Sequence, residues 1–428
     1  MEENIPQAFD TKPKKRKIIL IALCVVLVIL IGVFAFTLVK LNQSNNSNSN
    51  NNPSVQEIEL ENNFDIDIFK QLFITNEKDL NTVVSPLSIK IAMSMAAEGA
   101  QGETLSEMQG VLDTNEDSRS FFKSILDRAS DYDDVEINIA NSIWIRDELE
   151  FKNEFLNILE EYYDAEAQSL DFSDSASKDI INNWVSDKTN EKIPSILEKI
   201  NPLDIAFLIN AIYFNAEWQE AFDKEFTREE EFTLIDESKV DIELMSLDSN
   251  FNYFEDNELQ AIELPYGQEG DYSMKVYLPK RDNSITDFIE NLTAEKLEEW
   301  NDSFDRMDGL IELPRFKTEY SKDLSEILIK LGIVKAFDDV DADFSKMIEI
   351  MEGNNVYIGR VKHKTYIDVT EEGTEAAAVT MVEMMVGTAI TERPERFEMI
   401  VNKPFLFTIE DNINNQILFI GTILDPTK

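Results

Sequence analysis

Few side chains in this sequence can do acid–base or nucleophilic chemistry near neutral pH. There is one histidine, His363, and one cysteine, Cys24, which sits inside an apolar run. A single imidazole removes most histidine-based metal sites and makes any histidine-dependent catalysis hang on one position. A histidine can activate a serine or threonine nucleophile, but no spacing around His363 nominates one. The sequence holds no Gly-x-Ser-x-Gly elbow, no phosphate-cradling glycine-rich loop and no His-Glu-x-x-His. Its 84 acidic residues are spread throughout, so pairing two of them as acid and base would be arbitrary. A lone histidine in a strand reads first as a hydrogen-bonded core residue. The sequence therefore supports neither catalysis nor a cofactor.

A different kind of chemistry is written into residues 371–386, which run Glu371-Glu372-Gly373-Thr374-Glu375-Ala376-Ala377-Ala378-Val379-Thr380-Met381-Val382-Glu383-Met384-Met385-Val386. Side chains of a strand alternate between its faces. The even positions Thr374, Ala376, Ala378, Thr380, Val382, Met384 and Val386 carry no charge, and both glutamates after Gly373 fall on the odd face. No proline interrupts the run, so no ladder hydrogen bond is forbidden, and Gly373 gives the backbone freedom to bend. Taken alone, the pattern reads as an amphipathic strand that stays in place or as an Ala-rich helix.

The elements that would position these residues follow an N-terminal segment of another kind. Residues 18–39 form an uncharged run of about the length that crosses a 30 Å hydrocarbon core. Before it stands Lys12-Pro13-Lys14-Lys15-Arg16-Lys17, and after it only Lys40, which places the N-terminus in the cytoplasm. A cleaved signal peptide is the rival, but Val33-Phe34-Ala35-Phe36-Thr37 lacks a small-x-small cut site, and Leu23 before Cys24 disfavours lipid attachment. The expected order is a basic cytoplasmic tail over 1–17, a membrane-spanning anchor helix over 18–39, an Asn/Ser-rich linker over 40–55 and one folded domain over 56–428. That topology puts the protein in the cell membrane with its domain outside. A net charge of −45 argues against a nucleic-acid partner and reads as a solvated acidic surface.

Within the domain, residues 65–73 set Ile68, Phe69, Leu72 and Phe73 on one helical face. Ser85-Pro86 suits a helix start, and that helix continues through Ile89, Ala92, Met93 and Ala96 to stop near Gly99. Thr104-Leu105-Ser106-Glu107 has the spacing of a capping box opening another helix. Ile137, Ile139, Asn141, Ile143 and Ile145 alternate as in a strand, and further strands are expected over 206–213, 273–278, 310–316, 356–360 and 417–423. Helices come mostly first and strands later, which points to an α+β domain.

Several separated stretches resemble the serpin family. Asn81-Thr82-Val83-Val84-Ser85-Pro86-Leu87-Ser88-Ile89 with Gly99-Ala100-Gln101-Gly102-Glu103-Thr104 looks like the family's early helix and following turn. Leu208-Ile209-Asn210-Ala211-Ile212-Tyr213-Phe214, followed by Trp218 and Phe222, is similar to its central strand and the aromatic site at the strand's end. Glu263-Leu264-Pro265-Tyr266, Leu313-Pro314-Arg315-Phe316, Gly332-Ile333, Ala336-Phe337, Ala342-Asp343-Phe344-Ser345, Asn402-Lys403-Pro404-Phe405-Leu406-Phe407 and Phe419-Ile420-Gly421 follow in the family's order. The likeness spans essentially the whole domain.

The resemblance implies three β-sheets, eight or nine helices and an exposed reactive-centre loop between His363 and Pro404. It implies a suicide-substrate inhibitor that traps a serine endopeptidase, or a papain-like cysteine protease, when the cut loop enters the large sheet. The loop hinge would be Glu371, Glu372, Gly373, Thr374, Glu375, Ala376, Ala377, Ala378, Val379 and Thr380, where Val379 is bulkier than the family prefers. Ser85, Ser88, Asn210 and His363 would meet beneath the strands that part, and Trp218 would lie at the breach where the loop enters. Counting forward from Glu371 puts the reactive bond at Gly387-Thr388. Its neighbours Met384, Met385, Val386 and Ala389 suit elastase-like or subtilisin-like targets. Counting back from Pro404 lands near Arg393, a trypsin-like site spoiled by Pro394. The protein would act as a monomer without metal or cofactor. The alternatives are a serpin that has lost inhibition and serves as a binding module, and a membrane-anchored surface hydrolase.

Overall fold

The computed structural model describes residues 63–76, 80–129, 134–202, 204–280, 284–349, 355–374 and 396–428, all within one compact unit, Ile58–Lys428. The first part of the domain is mostly helical: α1 Phe64–Thr75, α2 Pro86–Ala97, α3 Gly102–Leu112, α4 Ser118–Ala129, α5 Asn153–Tyr162 and α6 Ala176–Lys188. Strands β1 Thr82–Val84, β2 Val135–Arg146, β3 Glu166–Leu170 and β4 Ala206–Glu217 are threaded among them. Next come β5 Arg228–Thr233, β6 Lys239–Glu255, β7 Leu259–Tyr266, β8 Tyr272–Pro279, α7 Ile285–Glu290, α8 Ala294–Asp302, β9 Asp305–Pro314, β10 Phe316–Asp323 and α9 Ser325–Leu331. The chain closes with β11 Arg360–Val369, β12 Gly373–Thr374, β13 Phe397–Ile400, β14 Phe405–Asp411 and β15 Gln416–Ile423. The α+β expectation holds, with nine α-helices among the described residues.

Among the described residues the strands form two hydrogen-bonded sheets where the resemblance implied three. The larger has the order β1-β15-β14-β8-β7-β6-β9-β13 with β5 on β6, and the six-stranded one runs β10-β11-β12-β4-β2-β3. The cause is β6. Its first residues pair with β5, Leu244 to Tyr253 pair with β9, and its last residues pair with β7, so one long strand fuses two ladders.

Ser85 caps α2 by accepting from Ser88 N, and Pro86 occupies the first turn, where a missing N–H costs nothing. The helix is apolar nearly all round and correspondingly buried. Strand β4, antiparallel to β2 and parallel to β11, is buried on both faces and reads as an almost continuous apolar run, as expected for a central strand covered on both sides. Its even residues, Leu208, Ile212 and Phe214, belong to the main core with Val361 and Ile367. Its odd residues, Phe207, Ile209, Ala211 and Tyr213, form a second core with Ile181 and Val185 of α6.

Two local expectations need correction. The helix expected to open at Thr104 starts two residues earlier: Gln101 is its N-cap without a side-chain bond, and Thr104 Oγ1 instead accepts from Asp343 N at 3.0 Å. The strand expected over 356–360 begins only at Arg360, because Ile358 N donates to Ala336 O, outside either sheet. Among the described residues no helix is long and apolar enough to cross a membrane, and the expected anchor over 18–39 lies outside them.

Candidate functional site

The centre of the six-stranded sheet is a parallel pair, β4 beside β11, with Asn210 opposite His363. Behind this pair stands the N-terminus of α2. There Ser85, Ser88, Asn210 and His363 meet in one fully buried hydrogen-bonded cluster. Asn210 is its hub. Its Oδ1 accepts from Ser88 Oγ at 2.9 Å and contacts His363 Nδ1 at 2.5 Å, while its Nδ2 donates to Ser88 O at 3.1 Å and to Asn141 Oδ1 at 2.7 Å.

Ser85 N donates to His363 Nε2 at 3.3 Å, so that nitrogen is unprotonated and Nδ1–H faces Asn210. The imidazole is neutral, its pKa pushed down to about 3 by burial. No nucleophile is arranged for it, since both ring nitrogens are spent on Ser85 N and Asn210. The fifth member, Asn141 of β2, was not singled out from the sequence, although an amide among the alternating isoleucines 137–145 marked it. Its Nδ2 is buried without a partner.

This histidine makes stability pH-dependent. The folded pKa lies below the unfolded value near 6.5, so the unfolded chain binds the extra proton, and stability falls as the pH drops through the window between 6.5 and 3. Between pH 7 and pH 5 the loss should be about 2 kcal/mol. Urea unfolding at the two pH values measures it, and because there is no other histidine, His363→Gln should flatten that dependence.

At the other end of β4 lies the start of the expected loop. Val369 ends β11, Thr370 to Glu372 turn, and Gly373-Thr374 form a two-residue strand between β11 and β4. Thr374 pairs with Val369 on one side and Ala216 on the other. Its side chain is fully buried, 2.6 Å from Tyr266 Oη. A Cβ on Gly373 would come within 2.1 Å of Ala216 O, so the approach to β4 needs glycine.

The turn is clamped from below. Trp218 N donates to Glu372 O, Trp218 Nε1 to Thr370 O and Phe222 N to Glu371 O, each at 2.9 Å. The Trp218 ring stacks on Tyr266 with centroids 4.4 Å apart. Buried Glu371 accepts from Thr227 Oγ1 at 2.7 Å and faces Arg315 Nε at 3.5 Å, while Glu372 pairs with Lys224. Desolvation opposes ionisation of Glu372, but Lys224 and nearby hydrogen bonds outweigh it and its pKa is lowered.

Of the expected hinge, Glu371, Glu372, Gly373 and Thr374 are therefore placed. Glu375, Ala376, Ala377, Ala378, Val379, Thr380, Met384, Met385, Val386, Ala389, Arg393 and the bond Gly387-Thr388 lie outside the described residues.

The topology sets a neutral polar cluster beneath a parallel strand pair and seats a loop base at that pair's end. The serpin (serine protease inhibitor) family model matches residues 59–426, and the chain belongs to that family. A serpin-like protein of Methanosarcina acetivorans is 36% identical over 375 residues, covering 85% of this chain and 87% of its own. Human serpin B13 is 31% identical over 84% of this chain and 97% of its own length. The solved structure of tengpin, a thermophilic serpin in the native state, superposes with a TM-score of 0.78 at 34% identity, covering 88% of this chain and 97% of tengpin.

Proposed function

We propose that this protein is an inhibitory serpin that traps a serine endopeptidase by loop cleavage and insertion between β4 and β11. The observation that carries the reading is a register match. Thr374 already sits between Ala216 and Val369, and each further residue of an antiparallel strand would advance one place along β4 and one along β11. That path sets Ala378 between Ile212 and Thr365, Thr380 between Asn210 and His363, and Val382 between Leu208 and Val361. These are the residues of β4 and β11 that now pair directly. The hinge thus enters in the one register that lets the sheet open without either strand slipping.

The faces agree as well. Even-numbered loop residues would share the face of Leu208 and Ile212, toward the main core, where a charge would be costly. On the odd face, Glu375 would stand between half-buried Asn215 and half-buried Asp368 near the sheet's open end, and Glu383 beside Arg360, which now pairs with Asp204 at 3.4 Å. The apolar side chains of Leu208 and Ile358 line a small opening near where Val382 would arrive.

The mechanism follows from these contacts. A protease attacks the loop and forms its acyl intermediate. The released N-terminal side of the loop gains a ladder on each edge and buries its uncharged face, which carries the attached protease along the sheet and deforms its active site. The inhibitor is consumed. By the forward count the cut falls at Gly387-Thr388, and an elastase-like or subtilisin-like protease is the target class. Residues 18–39 hold the domain outside the cell membrane.

Incubating the membrane fraction that carries the full chain with pancreatic elastase should give a membrane-retained adduct. Its mass should equal protease plus chain through Gly387, with a released fragment beginning at Thr388. A fragment beginning at Pro394 refutes the assigned bond. A soluble adduct refutes the anchor, and fragments without adduct favour a non-inhibitory binding role.

A further inference from the structure

The seam between β4 and β11 is fastened at its top, its centre and its far end. Gly373-Thr374 wedge the top, and the polar cluster around Asn210 and His363 holds the centre. At the far end, where both strands begin, Gly359 N donates to Ala206 O at 3.2 Å. Arg360, the first residue of β11, reaches across to the β4 side there. Its guanidinium carbon lies 5.8 Å from the centre of the Phe207 ring, and its Nη2 lies 3.4 Å from Asp204 Oδ2. Asp204 is held in turn, since the same oxygen accepts from Asn201 N at 3.2 Å.

Arg360, Lys362 and Lys364 line one face of β11. Lys362 pairs with Asp323 at 3.3 Å and Lys364 with Glu319 at 3.2 Å, both on β10, which stays beside β11 when the seam opens. Asp204 and Phe207 stand on the opposite side of the seam. A strand admitted there adds one inter-strand spacing, about 4.8 Å, and takes both out of their present contact with Arg360. Of the three cations, Arg360 is the one that loses its carboxylate.

The loop carries a replacement. The register set by Thr374 brings Glu383 between Phe207 and Arg360, on the face that carries the guanidinium. Glu383 is also the last charged residue before Gly387-Thr388.

We propose that Arg360 is a positioning residue for insertion, pinning the far end of the seam through Asp204 in the intact protein and receiving Glu383 in the inserted one. The proposal rests on the inhibitory reading above and adds to it the group that fixes where the inserted strand ends. Exchange of one carboxylate for the other keeps the guanidinium paired before and after, so opening the seam strands no charge beside the second core.

The full chain in detergent, intact or nicked at Gly387-Thr388, is melted in a fixed concentration of urea, which is uncharged and leaves ion pairs unscreened. Asp204→Asn should lower the midpoint of the intact form by about 2 °C and leave the nicked form unchanged. Glu383→Gln should do the reverse. Arg360→Gln should lower both, and Arg360→Glu combined with Glu383→Arg should bring the nicked form back to within about 1 °C of wild type. An Asp204→Asn effect of equal size on both forms, a Glu383→Gln nicked form that melts with wild type, or a charge swap that fails to restore it overturns the role of Arg360 while the wild-type rise on cutting stands. No rise in wild type removes the inhibitory reading, and this proposal with it.

Discussion

A single cut at Gly387-Thr388 should raise the thermal unfolding midpoint by at least about 10 °C, from a net gain of about 8 kcal/mol or more. In the intact form β4 and β11 share one ladder, and insertion replaces it with two. The uncharged even face is buried at the same time, beside Leu208 and Ile212 of the main core. Against this stands the entropy of ordering the loop, about 1–2 kcal/mol per residue. The balance favours insertion because Gly373 and Thr374 are already seated, so the register need not be searched for. Differential scanning calorimetry of intact and nicked protein measures the change.

The second large effect concerns which face of the loop carries charge. Ala378→Lys should abolish covalent trapping and turn the protein into a substrate, raising the inhibitor-to-protease ratio needed for full inhibition more than about tenfold. The lysine would be driven into the core beside Ile212, and an unpaired buried charge costs several kcal/mol. Glu375→Lys, three residues away on the odd face, should keep trapping intact because it lands beside half-buried Asn215 near the sheet's open end. Titrating a fixed amount of elastase with each variant separates the two, and equal behaviour would remove the alternation argument.

Much of the architecture was legible because its causes are local. Ser85-Pro86 specifies a helix start by cap and ring geometry, and the all-round apolar helix that follows can only be buried. The alternating isoleucines of β2 and the apolar run of β4 likewise state their environments. The misassignments came from contacts distant in sequence. Thr104 looked like a cap, but its hydroxyl is taken by Asp343 N, 239 residues on. The fusion of two ladders through β6 depends on three partner strands and leaves no mark within β6 itself.

For the site, the sequence supplied the uncharged face of the loop and the solitary histidine. It did not supply the register, which rests on two backbone pairings of Gly373 and Thr374 with strands far apart in sequence. Asn141 was visible only as one polar residue in an apolar alternation. Its role as acceptor for Asn210 needed the fold.

The central claim, that the loop becomes an interior strand whose register carries Thr380 to the polar cluster, has a built-in reporter. With one histidine in the chain, the imidazole nitrogens of ¹⁵N-histidine-labelled protein report on His363 alone. Cleavage should shift the Nδ1–H signal, because Thr380 would arrive between His363 and Asn210 and break the 2.5 Å contact they now share. An imidazole spectrum identical before and after cleavage would mean that the sheet never opened at its centre, and would contradict the account.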